Sequence, residues 1–477
     1  MPLYDIVLGG STFAFLALLA IYLRHPAASI FNPATVYLAF HGLVFVIRPL
    51  FARVYDFRSI YASIGFTPSL DTKVTTLLAA NLGLFVMVGL CMVLCPPLEF
   101  RQSTAERQGR ASMMVRYLPA FAVLSGLCLW ALIWLWGFKS TGLAINEMDT
   151  RTGGQGLVAA SGYFISLTGF LVSLGALFAY LNRFRWWSFI PFALFAVLRL
   201  GIGGRGEVVV ACFVLALLFL VDRRSRWPNL WIVAGLVPLY LAFSAVVADR
   251  GAGVREALTG EAQPEIVYYS EADLAPLEHM DFGNLEFFEY VVHVVPERSG
   301  TYDYFLHNLQ ILTEPIPRGL WKDKPYGAPI KPVDLYNYGK PIGMTMSLPG
   351  VGWFSLGYVG VVLWSAFFAL IYCAAYRAFA SSRQTVLATV TYALFLGTSI
   401  IAFRDGMIIT ILKQGLFFAI PVVALWLSER LLRPRSGPES LPLPARAMPG
   451  QGMTAPAAPT PAERRAALAR QVPTPEG

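Results

Sequence analysis

The chain has 477 residues, 56% hydrophobic and 14% charged, so apolar side chains outnumber charges about fourfold where an ordinary soluble domain has about twice as many. That balance excludes a string of water-soluble domains. The formal net charge of +8 does not point to nucleic acid, because Lys and Arg form short clusters between apolar runs and no aromatic-studded basic face.

The apolar runs are roughly 17 to 25 residues long, the length that crosses a bilayer core of about 30 Å. They predict eleven transmembrane helices, at 3–23, 33–50, 74–95, 117–137, 157–180, 188–203, 206–221, 230–248, 351–376, 385–402 and 407–427. The sixth and seventh are short enough to form a re-entrant pair instead. No basic segment and no cleavage site precede Arg24, so the first run reads as a retained helix. Every second loop is basic: Arg24; Arg101, Arg107, Arg110 and Arg116; Arg183 and Arg185; Arg223, Arg224 and Arg226; Arg377 and Arg383; Arg430, Arg433 and Arg435. The positive-inside rule assigns these loops to the cytoplasm, with the N-terminus outside and the C-terminus inside.

The expectation is therefore an all-α polytopic membrane protein: eight helices over 1–248, a large outer loop over 249–350, three helices over 351–428, and a tail over 429–477. The outer loop carries 15 of the 29 acidic residues against 8 Lys or Arg. The tail is rich in Pro, Ala, Gly and Ser, with too few large apolar groups to offset ordering entropy, and reads as a disordered cytoplasmic segment.

Within the loop, Phe305, Leu309 and Leu312 recur at helical spacing between Ser299 and Leu312 and leave Asp303, His307 and Gln310 mostly off the stripe. Residues 285–295 pattern alike, with Glu286 and Glu289 on the polar side. Two short amphipathic helices lying on the membrane surface are expected.

Three polar segments fall on the outer face: the turn Arg199-Leu-Gly-Ile-Gly-Gly-Arg-Gly-Glu207, the long loop, and Phe403-Arg-Asp-Gly406. Arginines at helix ends beside Gly-rich turns suit a phosphate or pyrophosphate. Arg205 and Arg404 read equally well alone as headgroup anchors or as partners of Glu207 and Asp405. The segment Pro315-Ile-Pro-Arg318-Gly-Leu-Trp-Lys-Asp-Lys324-Pro sets Arg318, Lys322 and Lys324 close together, with pairing to Glu314 or Asp323 as the plainer reading. Arg250 opens the loop. Arg48 and Lys413 sit in the outer half of apolar runs, where charge is costly and usually functional. His41, midway along its run, reads as a helix-to-helix hydrogen bond. The loop 138–156, with Lys139, Glu147, Asp149 and Arg151, borders the same face weakly.

The five cysteines (Cys91, Cys95, Cys128, Cys212, Cys373) lie inside apolar runs without metal-ligand spacing. Neither a metal nor any other cofactor is expected.

The Gly-Arg-Gly-Glu turn opening a helix, the Pro-Arg-Gly-Leu-Trp-Lys-Asp-Lys-Pro segment, and Ser347 to Tyr358 entering the next helix together resemble the Wzy-type polymerases of O-antigen and exopolysaccharide repeat units. The similarity spans about 188–376, with the helix layout extending it across the membrane part. It implies a GT-C-like membrane glycosyltransferase of the bacterial inner membrane, with its active site facing the periplasm. Such an enzyme moves a growing glycan from one undecaprenyl pyrophosphate carrier to a new lipid-linked repeat unit without a nucleotide sugar or metal. A chain-length regulator and a flippase would accompany it, and nucleic acid would not. Carried over, Arg205, Arg318, Lys324 and Arg404 are the matching basic positions; read from the residues themselves and not from the family, Arg48, Arg250, Lys322 and Lys413 are further anion contacts. Proton transfer falls to Glu207, Glu289 or His307, with Glu207 favoured. An O-antigen ligase is the alternative, since His307-Asn308 matches a fragment of that layout. A lipid-linked oligosaccharide flippase is a second alternative, and charges gathered at one face argue against it.

Overall fold

The computed structural model describes residues 2–140, 166–201, 206–230 and 275–432, apart from 276, 279–281, 317–319, 322, 326, 342 and 344. The expected span at 230–248, most of the loop 138–156 and the tail from 433 lie outside the described residues, as do Arg205, Arg250, Arg318 and Lys322. Among the described residues the protein is helical and contains no strand. Seven of the helices are long and apolar enough to cross a membrane. Phe13, Val93 and Val123 are 75%, 81% and 70% exposed, an outward apolar surface suited to lipid and unfavourable in water. The chain is a multi-pass membrane protein.

Local chemistry sets the helix ends. Helix α1 spans Pro2–Arg24. Asn32 caps α2 (Pro33–His41) by accepting from the Ala34 amide at 3.0 Å, with Pro33 at the first turn where no amide partner is needed. A π-helical turn, Gly42–Ile47, leads into α3, Arg48–Tyr55. Pro49 accounts for the turn: its ring displaces the carbonyl four residues back, and one inserted residue relieves the clash. Helix α4 covers Ser59–Ile64, and Ser69 caps α5, Leu70–Leu94. The remaining helices are α6 (Thr104–Ser140), α7 (Phe170–Leu181), α8 (Ile190–Gly201), α9 (Gly206–Arg223), α11 (Leu348–Ser381), α12 (Val386–Asp405) and α13 (Ile408–Leu432), with α10 (Asn284–Val294) in the long segment; α7 and α8 are apolar but shorter than the seven.

The basic loops meet at one end of the helices. Arg226 accepts from the Ile30 amide at 3.0 Å and donates to the Leu98 carbonyl at 2.7 Å. Arg107 and Arg110 share Asp222, and Gln384 ties Glu99 to Arg101. The long segment and the α12–α13 turn lie at the opposite end. Helix α9 runs the whole way between them, from Asp222 at the basic end to Gly206, which packs on Ile401 near the end of α12.

Helix α11 is two helices meeting at non-helical Leu356 and Gly357. The short arm from Leu348 to Ser355 folds back along the long arm, and Gly352 and Gly360 touch so closely that a Cβ on either would collide with the other arm's backbone. The exposed carbonyls at the end of the short arm are satisfied from the loop: the Asp303 and Tyr304 amides donate to Phe354 and Ser355, each at 3.0 Å.

The long segment departs from the surface-helix expectation. Helix α10 occupies the expected stretch but is buried on every side, and Glu286 and Glu289 are each only 1% exposed. Their partners lie on other elements, so the polar stripe turns inward. Between Ser299 and Leu312 only residues from Leu306 onward are helical, as a 3-10 turn Leu306–Leu309 and a single α turn Gln310–Thr313. The preceding residues turn through left-handed Gly300, Tyr304 and Phe305, and Asp303 and Tyr304 meet the end of the short arm.

Candidate functional site

The end of α12 is a hub. The Arg404 carbonyl accepts from the Ser347 amide at 2.9 Å and from Asn284 Nδ2 at 2.9 Å. The Gly406 carbonyl accepts from Trp364 Nε1 at 2.7 Å, and the Trp364 ring stands 6.1 Å from that of His307. Gly206 packs on Ile401 one turn earlier. The helix-opening side of the Gly-Arg-Gly-Glu turn, the long loop and Phe403–Gly406 thus come together.

His307 is 8% exposed, between the rings of Phe354 and Trp364. Its Nδ1 lies 2.5 Å from Asp303 Oδ2, and the same oxygen accepts from the His307 amide at 3.0 Å. Asp303 is 1% exposed, so ring and carboxylate hold each other in a dry setting. With Nδ1–H donating to Asp303, the lone pair sits on Nε2, and Nε2 has no hydrogen-bond partner among the described residues. An imidazole held in one tautomer by a carboxylate, with its other nitrogen buried and unpartnered, is arranged to take a proton from a hydroxyl that reaches it.

One turn beyond, Glu314 joins two lysines. Lys413 Nζ is 2.9 Å from Glu314 Oε1, and Lys324 Nζ is 4.0 Å from Oε2 while donating to the Glu314 and Ile316 carbonyls at 3.1 and 3.0 Å. Burial pushes the Glu314 carboxyl up, but the Lys413 bond and charge, Gln310 and Lys324 outweigh it and hold it below the usual carboxylate range. Lys413 is half exposed and so accessible to an anion. The pairing of Lys324 with Glu314 is the plainer of the two readings of that basic segment.

The other expected residues are engaged. Arg48 Nε bonds both oxygens of Glu286 at 3.0 and 2.9 Å, Nη1 donates to the Leu277 carbonyl, and both side chains are 1% exposed. Arg48 is therefore neutralised inside the protein, beside the ring of Phe57 at 5.2 Å. Glu207 pairs with Arg199. Glu289 accepts from Tyr61 at 2.6 Å. Burial pushes the Glu289 carboxyl up to about 7, against the lowering effects of Lys73 and of the Tyr61 bond. A cavity of about 300 Å³ opens beside the hub, lined by Phe287, Tyr336, Thr345, Met346, Asp405 and Met407 among others.

Sequence reading did not single out Asp303, Glu286 or Tyr61 as partners. Asp303 and His307 carry an i,i+4 signal, but the carboxylates of α10 find partners more than 200 residues away.

No family model, no curated protein and no solved structure matches this chain.

Proposed function

We propose that this protein is a membrane glycosyltransferase of the polysaccharide-polymerase type, joining repeat units carried on undecaprenyl pyrophosphate. The observation that carries the reading is the His307 imidazole, oriented by Asp303 with Nε2 buried and unpartnered, followed in the same loop by Glu314, which holds Lys413 of α13 and Lys324. In this reading His307 Nε2 takes the proton from the acceptor hydroxyl. The new glycosidic bond forms at the donor's anomeric carbon as its bond to the pyrophosphate oxygen breaks. Negative charge then grows on the leaving diphosphate, where Lys413, Lys324, Arg404 and Arg205 lower its energy. Glu207 and Glu289 are less suited as bases, because Arg199 and Tyr61 occupy them.

Orientation follows from charge. The end where Arg226, Arg107 and Arg110 gather is cytoplasmic under the positive-inside rule, and His307 then faces the periplasm of the bacterial inner membrane. Eleven spans, including 230–248, keep that alternation. Lipid-linked oligosaccharide is the partner, with a chain-length regulator and flippase alongside.

The ligase reading shares the His307 base and the diphosphate leaving group, and the His307-Asn308 pair favours it. Product analysis separates the two in a strain lacking the gene. Loss of polymerisation leaves single repeat units, whereas loss of ligation leaves long polymer on its lipid carrier. His307→Ala and Lys413→Ala, present in the membrane at normal levels, are expected to reproduce the single-unit product. Long polymer in both variants would remove the assignment.

A further inference from the structure

Three thiols, two from the end of α5 and one from α11, meet at the basic end of the molecule. Cys91 and Cys95 sit one turn apart on the last turns of α5, and Cys373 faces them from the long arm of α11. Cys373 Sγ lies 3.4 Å from Cys91 Sγ and 3.3 Å from Cys95 Sγ, and the three side chains are 0%, 3% and 1% exposed. All three sulfurs lie within 4.8 Å of one another. Neutral thiols are poor hydrogen-bond partners, so packing alone gives little reason to converge three of them on a point.

We propose that Cys91, Cys95 and Cys373 form a trigonal site for Cu(I). Soft sulfur donors select a soft cation, and the number of donors chooses among soft cations. Structural zinc takes four ligands. Among the described residues the group holds three sulfurs, and no His, carboxylate or further thiol joins it as a fourth ligand. The surrounding core is dry, which disfavours water as the fourth ligand. Arg377 follows Cys373 by one helical turn, and its charge offsets part of the negative charge of a copper thiolate. Cys95 ends its helix and Pro96 begins the loop, so the metal enters from the loop end. Loading exchanges protons for metal: two S–H protons leave for water at that end, the third sulfur completes the shell, and copper stays Cu(I), so no electrons move. The bound ion ties α5 to α11 at the end away from His307, and the site is independent of the glycan reading.

The test uses the full chain purified in lipid nanodiscs without oxygen, with Cu(I) supplied against a competing chelator and Zn(II) supplied in parallel. The wild-type protein is expected to retain one Cu(I) per chain, with three sulfur neighbours by X-ray absorption. Cys373→Ser and Cys95→Ser lose the metal, whereas Cys128→Ser and Cys212→Ser keep it. Absence of retained copper in the wild-type chain, retention of zinc in its place, equal retention by Cys373→Ser, or an intact mass lighter by two hydrogen atoms with no metal, the mark of a disulfide, each overturns the site. The wild-type absorption measurement decides the matter even where a variant fails to fold.

Discussion

Asp303 Oδ2 takes two hydrogen bonds from His307, one from the ring nitrogen Nδ1 at 2.5 Å and one from the backbone amide at 3.0 Å. The carboxylate therefore fixes the start of the 3-10 turn and the tautomer of the ring at once. Asp303→Asn keeps the side-chain size but removes the negative charge, and its amide nitrogen, placed where Oδ2 lies, would turn the ring to the wrong tautomer. Transfer activity is expected to fall by about 10²–10⁴, the range general-base catalysis supplies, with membrane level and melting temperature nearly unchanged. Steady-state rates with a lipid-linked donor measure it.

Lys413 and Glu314 form a partly exposed ion pair, and such pairs contribute about 0–1 kcal/mol. Lys413→Ala should leave the melting temperature within a degree or two of wild type while lowering product formation. A large stability loss with normal activity would show that the pair serves the fold and not the anion.

Arg48 and Glu286 behave differently because both are buried. Glu286→Gln leaves the Arg48 charge uncompensated and is expected to cost about 3–5 kcal/mol. The double change Arg48→Met with Glu286→Leu removes both charges and should recover most of that loss. Thermal unfolding in detergent, run on all three variants, gives the comparison.

Glu289 sets a pH dependence. Its carboxyl lies near 7 in the folded protein against an ordinary 4.5, so the native state binds the proton more tightly than the unfolded chain does. Its contribution is most favourable below about 4.5 and is lost as pH rises through about 7. Glu289→Gln should remove this slope, gaining stability relative to wild type at pH 8 and little at pH 4. Lys73, Arg48 and Glu286 face the same carboxyl, so the difference between variant and wild type is the quantity to follow.

Gly406 ends α12 in the left-handed region with φ of 73°, and a Cβ there would run into the Ser347 carbonyl and Val351. Gly406→Ala meets both the backbone penalty of about 1–3 kcal/mol and that collision. It should lower membrane yield and transfer together, since Ser347 donates to Arg404 at the centre of the hub.

Seven of the eleven expected spans are long apolar helices among the described residues, and they were legible in the sequence because a bilayer demands long apolar runs, each carrying its own signal. The hub was legible in part. Phe403–Gly406, His307 and the Gly-Arg-Gly-Glu turn stand out as polar breaks in apolar surroundings, and the described parts of all three come together. The interior of the long segment was not legible. An amphipathic pattern places Glu286 and Glu289 on a polar stripe, but whether that stripe meets water or buried partners depends on Arg48 and Tyr61, 238 and 228 residues away. The cysteine cluster was hidden for the same reason, since Cys95 and Cys373 are 278 residues apart and share no spacing rule.

The most direct measurement of the central claim is release of undecaprenyl pyrophosphate by the purified protein in proteoliposomes supplied with a lipid-linked repeat unit. The account predicts one carrier released per unit added to the growing glycan, with both signals lost in His307→Ala. Carrier release and chain growth at wild-type rates in His307→Ala would contradict it.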